Sequence, residues 1–139
     1  MNPLRIFTSA MVLLFLGACS GDNRTTISQF KGQWVVVNYW AQWCKPCIKE
    51  IPELNRLHAN HDTIVVLGVN FDGEVGETLK DQEEQLGIAF PTLDYDPSAE
   101  LGIERPKALP TTVIITPQGT VLEVLIGPQT EQSLLARTE

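Results

Sequence analysis

Residues 33–40 (QWVVVNYW) form an almost uninterrupted run of β-branched and aromatic side chains. The run has no apolar/polar alternation, so both of its faces must be covered. It therefore reads as a central strand with a packed layer on each side. Residues 63–70 (TIVVLGVN) repeat that signal. Between the two runs the period changes. Ile48, Ile51, Leu54 and Leu57 recur at threes, which predicts a helix over residues 45–60. Pro52 lies inside it and should kink it. Two buried strands joined by a helix predict a parallel βαβ unit with a right-handed crossover.

Residues 76–86 predict an acidic amphipathic helix closed by Gly87. A loop bearing Pro91 and Pro97 then leads to a short helix around residues 98–101. Residues 111–116 (TTVIIT), the Pro117-Gln118-Gly119 turn and residues 120–126 predict an antiparallel hairpin. Residues 131–137 predict a last short helix. The expected fold is α/β, with a mixed central sheet and helices on both faces. Residues 27–139 make one domain without internal repeats.

Composition excludes several functions. Ten basic against 17 acidic residues give a net charge of −7. A nucleic-acid binder needs a basic face, and so does a polybasic membrane-surface protein. Three cysteines are too few for a disulfide-stapled mini-domain or a four-thiolate zinc site. A chain of 139 residues is long enough to bury a core without either.

Residues 1–18 read as a leader. Arg5 supplies its charge, and residues 6–16 supply an apolar stretch of secretory-signal length. That stretch is too short to span a bilayer, which needs about 20 residues. Leu16-Gly17-Ala18-Cys19 resembles the lipobox of bacterial lipoproteins. The resemblance implies cleavage before Cys19 and lipidation of its sulfur, and several acyl chains on one residue make a stable anchor. Residues 19–26 read as a polar tether. Ser20 after the cysteine leans towards the outer membrane rather than the inner.

The residues that carry chemistry lie where the first strand hands over to the first helix, at Trp40-Ala41-Gln42-Trp43-Cys44-Lys45-Pro46-Cys47. Two thiols one helical turn apart can close a small disulfide ring. Cys44 falls at the helix N-terminus, where unpaired N–H groups favour an anion, and Lys45 adds a cation beside it. Both lower a thiol's pKa below its free value of about 8.5. Cys47 lies one turn deeper and should be more buried. Cys44 thus suits attack on a substrate disulfide, and Cys47 suits resolution of the mixed disulfide. A zinc site would need two further ligands. His58 and His61, at the far end of the helix and in its loop, are expected on the surface, so no metal site is expected. Glu50, three residues after Cys47, shares its helix face. There a carboxylate could accept the proton that Cys47 must lose, with burial raising its pKa.

With these residues in place, the chain resembles the thioredoxin superfamily, and within it the TlpA/ResA-like thiol–disulfide oxidoreductases. The likeness covers residues 27–137. Residues 27–32 fit that family's lead-in, and Pro52 fits the proline of its active-site helix. Residues 73–92 fit its helix-containing insertion, between the βαβ unit and the C-terminal hairpin. Leu109-Pro110-Thr111 fits the cis-proline loop that faces the cysteines. The resemblance implies that the backbone at Leu109 pairs with an extended substrate, with Thr111 beside it. Trp43 is expected to shield Cys44 and to offer substrates an apolar contact. It also implies a proton-accepting glutamate at Glu50, whereas ordinary thioredoxins bury an aspartate where this chain has Asn38.

The expectation is a monomeric, lipid-anchored periplasmic disulfide reductase using a Cys44–Cys47 couple. No metal or organic cofactor is expected, and no nucleic acid. Oxidised envelope proteins such as apocytochrome c would be the substrates, and a membrane electron donor would restore the dithiol. Two alternatives are a thiol peroxidase of the peroxiredoxin type and a copper-delivery chaperone. The first needs an isolated cysteine in a Thr- and Pro-bearing loop. The second usually spaces its cysteines wider and adds a facing histidine.

Overall fold

The computed structural model describes residues 24–138. The leader, Cys19 and the first residues of the tether lie outside that range.

Strand β1 spans Trp34–Trp40 and is followed by helix α1, Lys45–Asn60. Strand β2 covers Ile64–Asn70 and helix α2 Gly76–Leu86. A two-residue strand β3, Thr92–Leu93, precedes the hairpin of β4, Thr111–Ile115, and β5, Val121–Ile126. Helix α3, Glu131–Leu135, closes the chain, and a short 3-10 helix, Ile27–Phe30, opens it. The strand order is β3-β2-β1-β4-β5. β1 and β2 are parallel, as are β2 and β3, and β4 runs antiparallel to both β1 and β5. The mixed sheet is therefore built around β1, whose residues from Val35 on are all buried, as are those of its neighbours β2 and β4.

The two faces of β1 feed two cores. Val36 joins Leu54 and Leu57 of α1, Val66, Ile114 and Leu134 of α3 on one face. Val35, Val37 and Tyr39 join Val65, Leu67, Val113 and Ile115 on the other. Ile27 and Phe30 of the 3-10 helix cover that second face together with Tyr95, Leu101 and Ile103. A fully buried aliphatic side chain contributes about 1.5–3 kcal/mol. The completely buried Val36, Leu54, Leu57, Ile114 and Leu134 are thus enough to dock α1 and α3 firmly.

Two local features differ from expectation. Residues 98–101 form turns rather than a helix. Leu101 N–H donates to Pro97 C=O at 2.9 Å, and Gly102, at φ 66°, ends the coil at once. Strand β3 escapes sequence reading because two residues carry no period. Helix α1 carries Pro52 inside it, as expected.

The shortness of β3 leaves most of β2's outer edge without a strand. Gly68 N–H finds Pro91 C=O at 2.8 Å, and Val66 N–H donates to His58 Nδ1 at 3.3 Å. His58 is therefore half-buried with a structural task, and burial pushes its pKa below the ordinary value. His61 is also half-buried, against Glu131 Oε1 at 3.1 Å.

Gly68 of β2 is a strand position where a side chain has no room. A Cβ there would stand 2.8 Å from both Trp40 Nε1 and Thr92 Oγ1. Gly68→Ala should therefore destabilise the chain by about 1–3 kcal/mol, the usual range for overpacking. Thermal or urea unfolding would measure it. An unchanged midpoint would mean that Trp40 and Thr92 give way freely.

Candidate active site

The C-terminal end of β1 delivers the chain into the turn Ala41–Trp43 and then into α1. Cys44 is the capping residue of α1, in extended conformation, and its Sγ accepts the N–H of Cys47 at 3.3 Å. Pro46 lies in the first helical turn, where a missing N–H leaves no helix bond unmade. Cys44 and Cys47 are joined as a disulfide, with Cα atoms 5.3 Å apart. Both are buried, Cys47 slightly more, at 1% exposed against 4%. They pack with Trp40, Ala41 and Leu79 of α2, and Phe71 and Leu109 lean on the same cluster.

Glu50 follows one turn after Cys47 and is only 2% exposed. Its Oε1 accepts the backbone N–H of Gln129 at 2.9 Å, and its Oε2 accepts Asn38 Nδ2 at 3.1 Å. Burial pushes its pKa from 4.5 up to about 7, against the pull of the two donors. A carboxyl poised near neutrality can take or give a proton without leaving the interior.

Trp43 is 63% exposed. Its Nε1 donates to Asp72 Oδ2 at 2.8 Å, and its ring meets the Phe71 ring edge-on at 6.4 Å between centroids. Arg105 stacks on the far partner, with its guanidinium carbon 4.2 Å from the Phe71 ring centroid. Arg105 also donates to Phe71 C=O at 2.6 Å and to Asp96 Oδ2 at 2.8 Å. The exposed indole is thus braced from behind by a fixed stack.

Leu109–Pro110 is a cis peptide bond. The Pro110 C=O accepts Gly127 N–H at 2.9 Å, and Thr111 Oγ1 donates to Ala108 C=O at 2.7 Å. Register places Thr111 beside Tyr39 and Thr112 beside Asn38. The loop is therefore pinned to the end of β1 that carries the disulfide. A cavity of about 360 Å³, lined by Ile27, Phe30, Val35 and Ile115 among others, touches none of these residues.

The structure brings Cys44, Cys47, Glu50 and the Leu109–Thr111 loop to one end of the sheet. Sequence reading did not find Asn38 as a donor, Thr112, the Gln129 backbone, or the Asp72–Phe71–Arg105 brace. Asn38 left a signal, as an amide in the middle of an apolar strand. The others come from distant segments, and no local pattern marks them. Among the described residues no group of three or more His, Cys, Asp or Glu side chains is placed to hold a metal. No helix among them is long and apolar enough to cross a membrane.

A family model for the AhpC/TSA family matches residues 11–124. The chain belongs to the AhpC/TSA family. Within the thioredoxin superfamily this AhpC/TSA member is TlpA/ResA-like. It is 33% identical over 118 residues to the thiol-disulfide oxidoreductase ResA of Bacillus subtilis (strain 168), a match covering 83% of this chain and 65% of that one. It is 32% identical over 110 residues to the ResA of Bacillus thuringiensis (strain Al Hakam), covering 78% and 63%. The chain thus spans just under two thirds of the length of these curated relatives. Among solved structures, a DsbF homologue from Corynebacterium diphtheriae superposes with a TM-score of 0.70 at 28% identity, covering 81% of this chain and 74% of that one. The AhpC/TSA chain therefore has the thioredoxin fold expected from its sequence.

Proposed function

We propose that the chain is an envelope thiol–disulfide oxidoreductase that reduces disulfides in oxidised proteins. The observation that carries this reading is the Cys44–Cys47 disulfide capping α1, with buried Glu50 one turn beyond it. Cys44, as a thiolate, attacks one sulfur of the substrate disulfide, and the other sulfur leaves and takes a proton from water. Cys47 gives its proton to Glu50 and attacks Cys44 Sγ, releasing the second substrate thiolate. Two electrons pass to the substrate, and the Cys44–Cys47 bond forms. A dithiol donor in the membrane returns the electrons.

The proposal extends to the remaining roles. The backbone at Leu109, next to cis-Pro110 and Thr111, pairs with an extended substrate segment. Trp43 offers it an apolar contact. Extracytoplasmic oxidised proteins are the substrate class, with cytochrome c maturation as one setting. Lipidation at Cys19 tethers a monomeric domain to the membrane, with Ser20 favouring the outer one. Identity to the ResA proteins supports the chemistry.

The test is turnover by the purified protein. With dithiothreitol as donor, it should reduce insulin disulfides well above the uncatalysed rate and consume hydrogen peroxide only slowly. Rapid peroxide consumption with no insulin reduction would favour a thiol peroxidase and overturn the proposal.

A further inference from the structure

We propose that Asn38 and Thr112 are a positioning pair for Glu50, turning its carboxylate and favouring its charged form. The inference deepens the reading above, because it rests on Glu50 as the group that takes the Cys47 proton.

The geometry is a buried fork. Asn38 Nδ2 carries two hydrogens. One goes to Glu50 Oε2 at 3.1 Å and the other to Thr112 Oγ1 at 3.2 Å. Asn38 is 1% exposed and Thr112 is fully buried, so water does not compete for either bond. The antiparallel register of β1 and β4 sets the two side by side. The carboxylate only accepts, so it selects the nitrogen of the amide, and Thr112 Oγ1 holds that amide in place by accepting its second hydrogen. An amide turned the other way would set Oδ1 against the carboxylate, two acceptors facing each other. From the opposite side, Gln129 N–H donates to Oε1 at 2.9 Å. Both carboxylate oxygens are therefore held.

No charged side chain among the described residues contributes to the titration of Glu50; only burial and these two donors do. Its helix also carries Glu53, and α3 carries Glu131. Glu53 is bound by Arg56 and the Glu131 N–H, and Glu131 by Arg56 and His61. The fork is thus the side-chain device that offsets burial. It also connects the proton acceptor to β4, two residues beyond Pro110. Thr112 is a positioning residue that acts through Asn38.

The test is the titration of Glu50 in the oxidised full-length protein, followed by the 13C shift of its carboxyl carbon. Asn38→Leu should raise the midpoint by about one pH unit, the scale of losing one charge-assisted bond. Thr112→Val, nearly isosteric, should raise it less, and Thr112→Ser should restore it. Midpoints equal to the wild type in Asn38→Leu and Thr112→Val, with native circular dichroism, would overturn the proposal. The pH–rate profile of insulin reduction separates the two readings. A midpoint that moves in the carboxyl titration but not in the rate supports the pair and removes Glu50 from the proton transfer.

Discussion

Cys44→Ser is expected to abolish disulfide reduction, and Cys47→Ser to stop it one step later. The two thiols are alike in chemistry but not in place. Cys44 caps α1, where backbone N–H groups and the helix dipole favour a thiolate. A serine hydroxyl there is a poor nucleophile, and loss of a nucleophile costs on the order of 10³-fold or more. Cys47 is inside the helix and 1% exposed, so an incoming protein disulfide meets Cys44 first. With Cys47→Ser the first attack proceeds, and the mixed disulfide has nothing to resolve it. Non-reducing gels should show that variant accumulating covalent adducts with oxidised proteins, dissolved by dithiothreitol. Adducts in Cys44→Ser instead would reverse the two roles.

Glu50→Gln is expected to slow reduction by about 10²-fold at neutral pH, the lower end of what a positioned base contributes. The rate profile should also lose its ionisation near pH 7. Stability should move the other way. The folded chain holds the Glu50 proton up to about pH 7, whereas the unfolded chain releases it near 4.5. Between those values the folded state binds more protons, so wild-type stability falls as pH rises through the window. At about 1.4 kcal/mol per unit, the loss is on the order of 3–4 kcal/mol. Glutamine does not titrate, so the variant should lack this slope and unfold later than wild type above pH 7. It keeps the Gln129 bond through its oxygen. Asn38 can turn its Oδ1 towards the new amide and accept the Thr112 hydroxyl as well. Urea unfolding at pH 5 and pH 8 checks the sign. Parallel pH dependences in the two proteins would mean that Glu50 ionises in the folded chain as freely as in the unfolded one.

The parts of the fold that were legible have strong local periods. Residues 33–40 and 63–70 lack polar alternation because both faces of β1 and β2 are covered, and α1 shows its threes because Ile51, Leu54 and Leu57 face the sheet. Cys44, Cys47 and Glu50 share one helix, so spacing alone places them together. The cis bond at Pro110 was expected from the family likeness, since propensity argues for trans. What stayed hidden depends on segments far apart in sequence. The fork needs β4 beside β1, 74 residues away, and the second donor to Glu50 comes from 79 residues downstream. His58 looked like a surface residue because nothing near it in sequence reveals that β3 stops short and leaves the Val66 N–H to be met. The brace behind Trp43 stayed hidden too, since Phe71 and Asp72 lie 28 and 29 residues away from it in sequence.

The reduction potential of the Cys44–Cys47 couple tests the proposed direction of electron flow most directly. It can be read by equilibrating the chain without residues 1–19 in graded dithiothreitol buffers and counting free thiols. A reductase fed by a membrane donor should lie near thioredoxin's value of about −270 mV. A value of about −120 to −180 mV, the range of oxidants and isomerases, would contradict the account.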